Sequence, residues 1–173
     1  MIPKFFIFSF GLLLSIVAAN IDVLAHCISG NCHNGRGTYQ YNNGDKYSGQ
    51  FMNGKPHGTG TCYFSCGDRY TGDMVNGDIN GYGTYYFAGG DVFAGVLHNG
   101  QMKQGTYSYI NGEKYTGTFY NGKKQGEGTY NYSGGYMFSG MWDNNAKNGP
   151  GILYYKGRII RKGIWNNNQP VSR

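Results

Sequence analysis

Acidic side chains are scarce in this sequence. Nine Asp and Glu stand among 173 residues, and only two of them are Glu. That leaves little for general acid–base chemistry, which needs two carboxylates in different environments converging on one substrate. Strong helix formers are thin too, since Ala, Leu and Glu are sparse, and this argues against a helical fold. No apolar run suits a spanning helix. The one long apolar stretch, residues 5–19, falls short of the ~20 residues a bilayer requires.

What is there is glycine, tyrosine and positive charge. Glycine occurs 31 times, Tyr 17 and Phe 10, with a formal net charge of +6. Aromatic residues favour strands. A disordered Gly-rich segment would be neither so aromatic nor so regular. Residues 1–25 read as a secretory signal: Lys4 precedes the apolar run, and small residues follow it. Val17 and Ala19 suit a cut before Asn20; Val23 and Ala25 suit one before His26. An uncleaved anchor and a lipoprotein beginning at Cys27 are the alternatives. The expectation is an exported protein, whether periplasmic, envelope-associated or secreted.

From Cys27 onward the chain repeats with a period near 23. The units are 47–69, 70–92, 93–114, 115–137 and 138–160, with partial units at 27–46 and 161–173. Together they make a repeat domain over 26–173. Each unit holds two runs of period two. The first is aromatic-x-Gly-x-apolar, as in Tyr47, Gly49, Phe51 and in Tyr115, Gly117, Phe119. The second is Gly-x-aromatic-x-aromatic, as in Gly83, Tyr85, Phe87. Alternation places the named residues on one face of a strand. Tyr47, Phe51, Tyr70, Phe93, Tyr115, Phe119, Phe138, Trp142 and Trp165 are the expected structural aromatics. Nine Asn-Gly pairs punctuate the runs, and Asn-Gly is a strong hairpin signal. The fold class is therefore all-β: a long, single-layer antiparallel meander of tandem hairpins. A glycine on the aromatic face leaves room for a ring to lie over it, so the core is thin and its stability sums over neighbouring repeats.

The pattern Tyr-x-Gly-x-aromatic-x-Asn-Gly-Lys-x-x-Gly-x-Gly-Thr-aromatic, clearest at 47–69 and 115–137, resembles the MORN repeat family. The resemblance implies an elongated hairpin array used for binding and scaffolding. Among its members are ones linked to anionic phospholipids, self-association or protein partners. The unit at 93–114 departs from the pattern by lacking one turn residue, which places an irregularity near 100–105. Asn145 stands where a Gly is usual, and Cys62 where other units carry Tyr.

Residues able to react fall mostly on repeat positions. His57 matches Asn80, Gln125 and Asn148, which marks a turn role. Gly58-x-Gly60 precedes a strand rather than a helix, so it is no phosphate loop. Asp45, Asp68, Asp91 and Glu113 share one slot, in the turn entering the next hairpin. No catalytic residue, cofactor or metal site is expected. Cysteine departs from the repeat: Cys27, Cys32, Cys62 and Cys66 are even in number and suggest disulfides in an exported chain. Local pairing, Cys27 with Cys32 and Cys62 with Cys66, is the simplest of three connectivities. Zinc, with His26 and His33 nearby, is the alternative, although the spacings do not suit it.

Charge is uneven. Residues 26–102 hold four basic and five acidic residues; residues 103–173 hold ten basic and three acidic. Lys123, Lys124, Arg158, Arg161 and Lys162 are the candidates for binding an anionic surface. The expected partner is a protein, or an anionic lipid or envelope polymer, with no nucleic acid. Sheet edges also offer a route to a homodimer, and Pro170 would blunt one of them. The sequon at Asn131 matters only in a eukaryotic secretory route.

Overall fold

The computed structural model describes residues 25–172. The leader expected over residues 1–25, including a cut before Asn20, lies outside the described residues except for Ala25. Fourteen strands follow one another: β1 (His26–Gly30), β2 (Gly35–Gln40), β3 (Lys46–Met52), β4 (Lys55–Tyr63), β5 (Arg69–Val75), β6 (Asp78–Tyr86) and β7 (Val92–His98). Then come β8 (Gln101–Ser108), β9 (Lys114–Tyr120), β10 (Lys123–Asn131), β11 (Tyr136–Asp143), β12 (Ala146–Tyr155), β13 (Arg158–Asn166) and β14 (Gln169–Pro170). They form one antiparallel sheet in strict chain order. The meander read from the repeat is the fold.

One register line explains the glycines. Gly37, Gly49, Gly60, Gly72, Gly83, Gly95, Gly105, Gly117, Gly128, Gly140, Gly151 and Gly163 pair in sequence across twelve strands. Rings lie flat upon them. A Cβ at Gly49 or Gly60 would meet the Tyr47 ring, and one at Gly117 or Gly128 the Tyr115 ring, at 2.3–2.7 Å. Phe93 and Phe138 sit over Gly105 and Gly151 in the same way. At the leading end Cys32 Sγ takes the place of a ring, 2.7 Å from a Cβ built at Gly37. At the trailing end the ring slot holds Arg161, and a Cβ at Gly163 would meet nothing within 4 Å.

The core is this aromatic face. Tyr47, Tyr70, Phe93, Tyr115 and Phe138 are at most 1% exposed, joined by Phe51, Phe119, Trp142 and Trp165. Ring pairs are mostly tilted or edge-on, such as Tyr115 on Phe119 at 5.1 Å and Phe138 on Trp165 at 5.2 Å, and edge-on contact is a geometry that ring quadrupoles favour. The tyrosine hydroxyls on this thin core need acceptors, and those lying over the glycine row find carbonyls. Tyr47 donates to Gln50 O and Tyr70 to Asp73 O, both at 2.9 Å, where a register shift interrupts the ladder. Trp142 Nε1 donates to Gly128 O at 3.0 Å.

The Asn-Gly pairs divide into three kinds. At Asn34, Asn43 and Asn111 only the Gly has positive φ, in longer connections between strands. At Asn53, Asn76, Asn99 and Asn121 both Asn and Gly have positive φ and make two-residue hairpin turns. Asn80-Gly81 and Asn148-Gly149 instead lie inside β6 and β12. The short unit 93–114 keeps the fold. In it Val96 pairs with Gln104 and Leu97 with Met102, so only Lys103 is bulged. The missing residue comes out of the bulge, and strand pairing on either side is untouched.

The cysteine reading needs correction. Cys27 and Cys32 are bonded, but Cys62 and Cys66 are free thiols. Cys62 is still in strand register, between Tyr47 and Tyr70. Cys66 sits in the exposed turn that Gly67 N–H closes onto Phe64 O at 2.9 Å. The strand-to-turn change between them separates a packed thiol from a solvent-facing one. Burial, with Asp45 adding to it, pushes the Cys62 thiol up to about 12, which makes it a poor nucleophile.

Candidate functional site: a lysine strip on the aromatic face

The slot opposite the apolar residue of each hairpin changes character along the array. Phe51 faces Pro56, Met74 faces Ile79, and Leu97 faces Met102. In the next two repeats Phe119 faces Lys124 and Trp142 faces Lys147. Two cations therefore occupy positions that are apolar upstream.

Rings receive both ammonium groups. Lys124 Nζ lies 4.4 Å from the Tyr130 centroid, 4.7 Å from Trp142 and 5.8 Å from Tyr115. Lys147 Nζ lies 4.8 Å from Trp165, 5.4 Å from Phe138 and 5.5 Å from Tyr132. These are cation–π distances. Burial lowers the Lys124 amine to about 8, opposed by nearby Glu113 and assisted by Lys147; burial also lowers Lys147. The arrangement is a strip of two partly desolvated cations set in aromatic surface.

The turns hold these lysines in place. Asn145 N–H donates to Lys124 O at 3.1 Å, while its Oδ1 accepts Lys124 N–H at 2.8 Å. Asn168 treats Lys147 identically, at 2.9 and 2.8 Å. Both asparagines have positive φ, which Asn tolerates better than most residues. Where the slot is apolar, the corresponding turn carries Gly77, Gly100 or Gly122. Gly77 N–H and Gly100 N–H make the same bond, to Pro56 O at 2.8 Å and Ile79 O at 3.0 Å, so what the departure at Asn145 adds is the Oδ1 bond to the backbone N–H of the preceding repeat's lysine.

The turn acids link one repeat to the next. Asp68 accepts Ala88 N–H at 2.8 Å and the Tyr85 hydroxyl at 2.7 Å. Asp91 accepts Ile110 N–H and the Tyr107 hydroxyl, and Glu113 accepts Ser133 N–H and the Tyr130 hydroxyl. Glu113 is held below the usual carboxylate range, first by Tyr130 and then by Ser133 N–H. It steadies the ring that carries Lys124. Asp45 accepts Ser65 N–H at 2.7 Å, but Cys62 stands where its tyrosine would be. His57 Nδ1 accepts Asn76 N–H at 3.5 Å, a turn contact that matches its repeat position.

The five basic residues singled out by charge do not form one patch. By strand register Lys124 and Arg161 lie on the aromatic face, Lys123 and Lys162 on the other, and Arg158 pairs with Tyr155 at the start of β13. Lys123 Nζ donates to Asn144 Oδ1 at 3.1 Å. The opposite face carries a row of hydroxyls, with Thr38 and Ser48 at 3.1 Å and Thr61 and Thr71 at 3.2 Å, in a shallow open trough. Among the described residues, no three His, Cys, Asp or Glu side chains gather as metal ligands. Sequence reasoning missed Lys147 altogether and took Lys124 for a surface charge. The signal was its slot, which aligns with Met102 and Ile79.

The repeat with its glycine row and turn acids defines a class of protein: a tandem β-hairpin interaction array. The MORN repeat profile matches residues 33–46, 47–69, 70–92, 115–135 and 138–157, and the chain belongs to the MORN repeat family. Unit 93–114, with its shortened bulge, is not among the matched segments. Repeats of this family generally mediate protein or membrane binding and are generally non-catalytic. No curated protein matches in sequence. Among solved structures, the chain is similar to the SAS-4 (dCPAP) TCP domain in complex with a proline-rich motif of Ana2 (dSTIL), of Drosophila melanogaster. That likeness is 16% identical and covers 90% of this chain and 97% of that one, with a TM-score of 0.41.

Proposed function

We propose that the protein is a non-catalytic, exported scaffold of the cell envelope that binds a partner protein along its array. The observation behind this reading is the commitment of the turn acids. Asp45, Asp68, Asp91 and Glu113 all accept bonds from the following repeat. Half of the eight carboxylates from position 26 onward thus hold repeats together, along an extended surface. Photo-crosslinking from positions along β4 to β12, in the cells that make the protein, tests it. Discrete protein adducts are expected; adducts to lipid alone, or none, overturn it.

A second reading, a peripheral binder of anionic membrane or envelope polymer, draws on the ten basic residues after position 102. Co-sedimentation with anionic and neutral vesicles across a salt series decides it. Binding to anionic vesicles that fades with salt supports this reading; absence of binding at low salt ends it.

A further inference from the structure

The last long strand has an open edge. β13 runs from Arg158 to Asn166, but β14 pairs only Trp165 with Pro170 and Asn166 with Gln169. One more bond joins Val171 N–H to Ile164 O at 2.9 Å. Among the described residues no strand lies beyond Arg158 to Gly163, and the side chains from Arg158 to Ile164 are all exposed. Such an edge offers unpaired N–H and C=O groups to an added strand. The opposite edge differs. Both strands carry a register shift, between Cys27 and Ser29 in β1 and at Ile160 in β13, but β1 has only five residues against nine and is tied at its end by a disulfide. A very short edge strand discourages pairing.

Charge selects the occupant. Positions 144–173 contain six basic residues and no acid. Arg161 and Lys162 are adjacent and so point to opposite faces of β13. A flat anionic surface meets one face at a time. A strand laid along the edge sets its own side chains beside both. A second copy is a poor occupant: pairing this segment with itself brings Arg158, Arg161 and Lys162 close to their like-charged counterparts.

Shape adds a requirement. From Gly49 to Gly151 a ring covers the glycines of the row, but Gly163 is bare. Trp165 lies on the same face, 4% exposed, two residues on. The ring missing at Gly163 can come from the partner.

We infer that the outer edge of β13 takes an extended acidic peptide by strand addition, with acids on both strand faces and one aromatic side chain over Gly163. The inference rests on the scaffold reading and names the chemistry of its partner. Arg161 and Lys162 supply charge pairing on the two faces, the backbone from Arg161 to Gly163, past the bulge at Ile160, supplies ladder bonds, and Gly163 selects the aromatic residue.

The test uses the purified full chain and a short labelled peptide with glutamates on both strand faces and a central phenylalanine. Saturable binding that weakens with salt is expected, together with slowed amide exchange within Arg161–Gly163, beyond the bulge at Ile160. Arg161→Glu with Lys162→Glu should weaken binding about tenfold or more. Gly163→Phe fills the bare position. It should weaken the phenylalanine peptide roughly threefold and leave a phenylalanine-free control unchanged. These substitutions are at exposed positions, and an unchanged melting curve verifies each fold. Binding without slowed exchange at β13, or no binding at low salt, overturns the inference. If crosslinking in cells still yields protein adducts, the scaffold reading stands and only the edge assignment falls. If the peptide protects β13 while cells yield no protein adduct, the scaffold reading falls instead.

Discussion

The repeats before and after position 114 are built on one plan but fill one slot differently. Upstream, Pro56, Ile79 and Met102 close the aromatic face, and the next turn is Asn-Gly. Downstream, Lys124 and Lys147 close it, and the next turn is Asn-Asn. Two residues a full repeat apart change together: the turn N–H bonds the slot carbonyl in both halves, and downstream Asn145 and Asn168 add a side-chain bond to the lysine N–H. Within this array, then, the local unit of design is a strand plus the turn of its neighbour, and the hairpin alone is too small a frame.

The largest contrast is expected along the glycine row. A Cβ at Gly128 would stand 2.3 Å from the Tyr115 hydroxyl and 2.5 Å from its ring, whereas one at Gly163 meets nothing. Gly128→Ala should cost about 2–3 kcal/mol, as overpacking does in a filled core, and Gly163→Ala less than about 0.5 kcal/mol. Urea unfolding of both variants checks it. Equal costs would mean that the rings do not depend on the glycines for their seats.

Much of this architecture is legible in the amino-acid sequence. The period of 23, the alternation and the glycine–aromatic pairing lead to the right sheet, because each rests on local sterics that repeat identically. Three features are not legible there. Lys124 reads as surface charge, since composition cannot show that its slot aligns with buried Met102. Cys62 and Cys66 read as a pair, since spacing cannot show that a tight turn separates them. Some Asn-Gly pairs read as hairpin turns but lie within strands, since a bulge also needs residues that tolerate unusual φ.

The turn acids give a contrast of intermediate size. Asp91 accepts both a backbone N–H and the Tyr107 hydroxyl, while Asp45 has no tyrosine to accept. Asp91→Ala should destabilise by about 2–3 kcal/mol because it leaves a buried phenol unpaired, and Asp45→Ala by about 1 kcal/mol. Cys62→Tyr would restore the missing phenol and should raise stability by roughly 1 kcal/mol. Thermal melts of the three variants rank them. If Asp45→Ala matched Asp91→Ala, the phenol would contribute nothing to the inter-repeat link.

Exchanging the slot residues tests the opening comparison directly. Lys124→Met copies Met102 and removes a desolvated cation, but it also removes the cation–π contacts. The net gain should be under about 1 kcal/mol, since exposed-to-partly-buried cation–π contacts are worth roughly that much. Pairing it with Asn145→Gly, as upstream, should add less than the sum of the two single changes, because the residues share bonds. Independent, additive effects would dissolve the idea that slot and turn form one unit.

The smallest effect is in pH. The Lys124 amine is lowered in the folded protein to about 8 from an ordinary 10.5. The unfolded chain therefore binds more protons between those values, and stability from this group rises with pH there. The penalty is full below pH 8 and relieved as the amine deprotonates. Other groups work the opposite way: burial holds Cys62 and the core tyrosines above their ordinary values, so their contribution is lost once the unfolded thiol and phenols ionise. The Lys124 effect is clearest between pH 8 and 9. Across that interval the stability advantage of Lys124→Met over the natural chain should shrink. A gap that stayed constant from pH 7 to 9 would mean that the Lys124 amine keeps its ordinary affinity for protons, and that its three rings offset its desolvation fully.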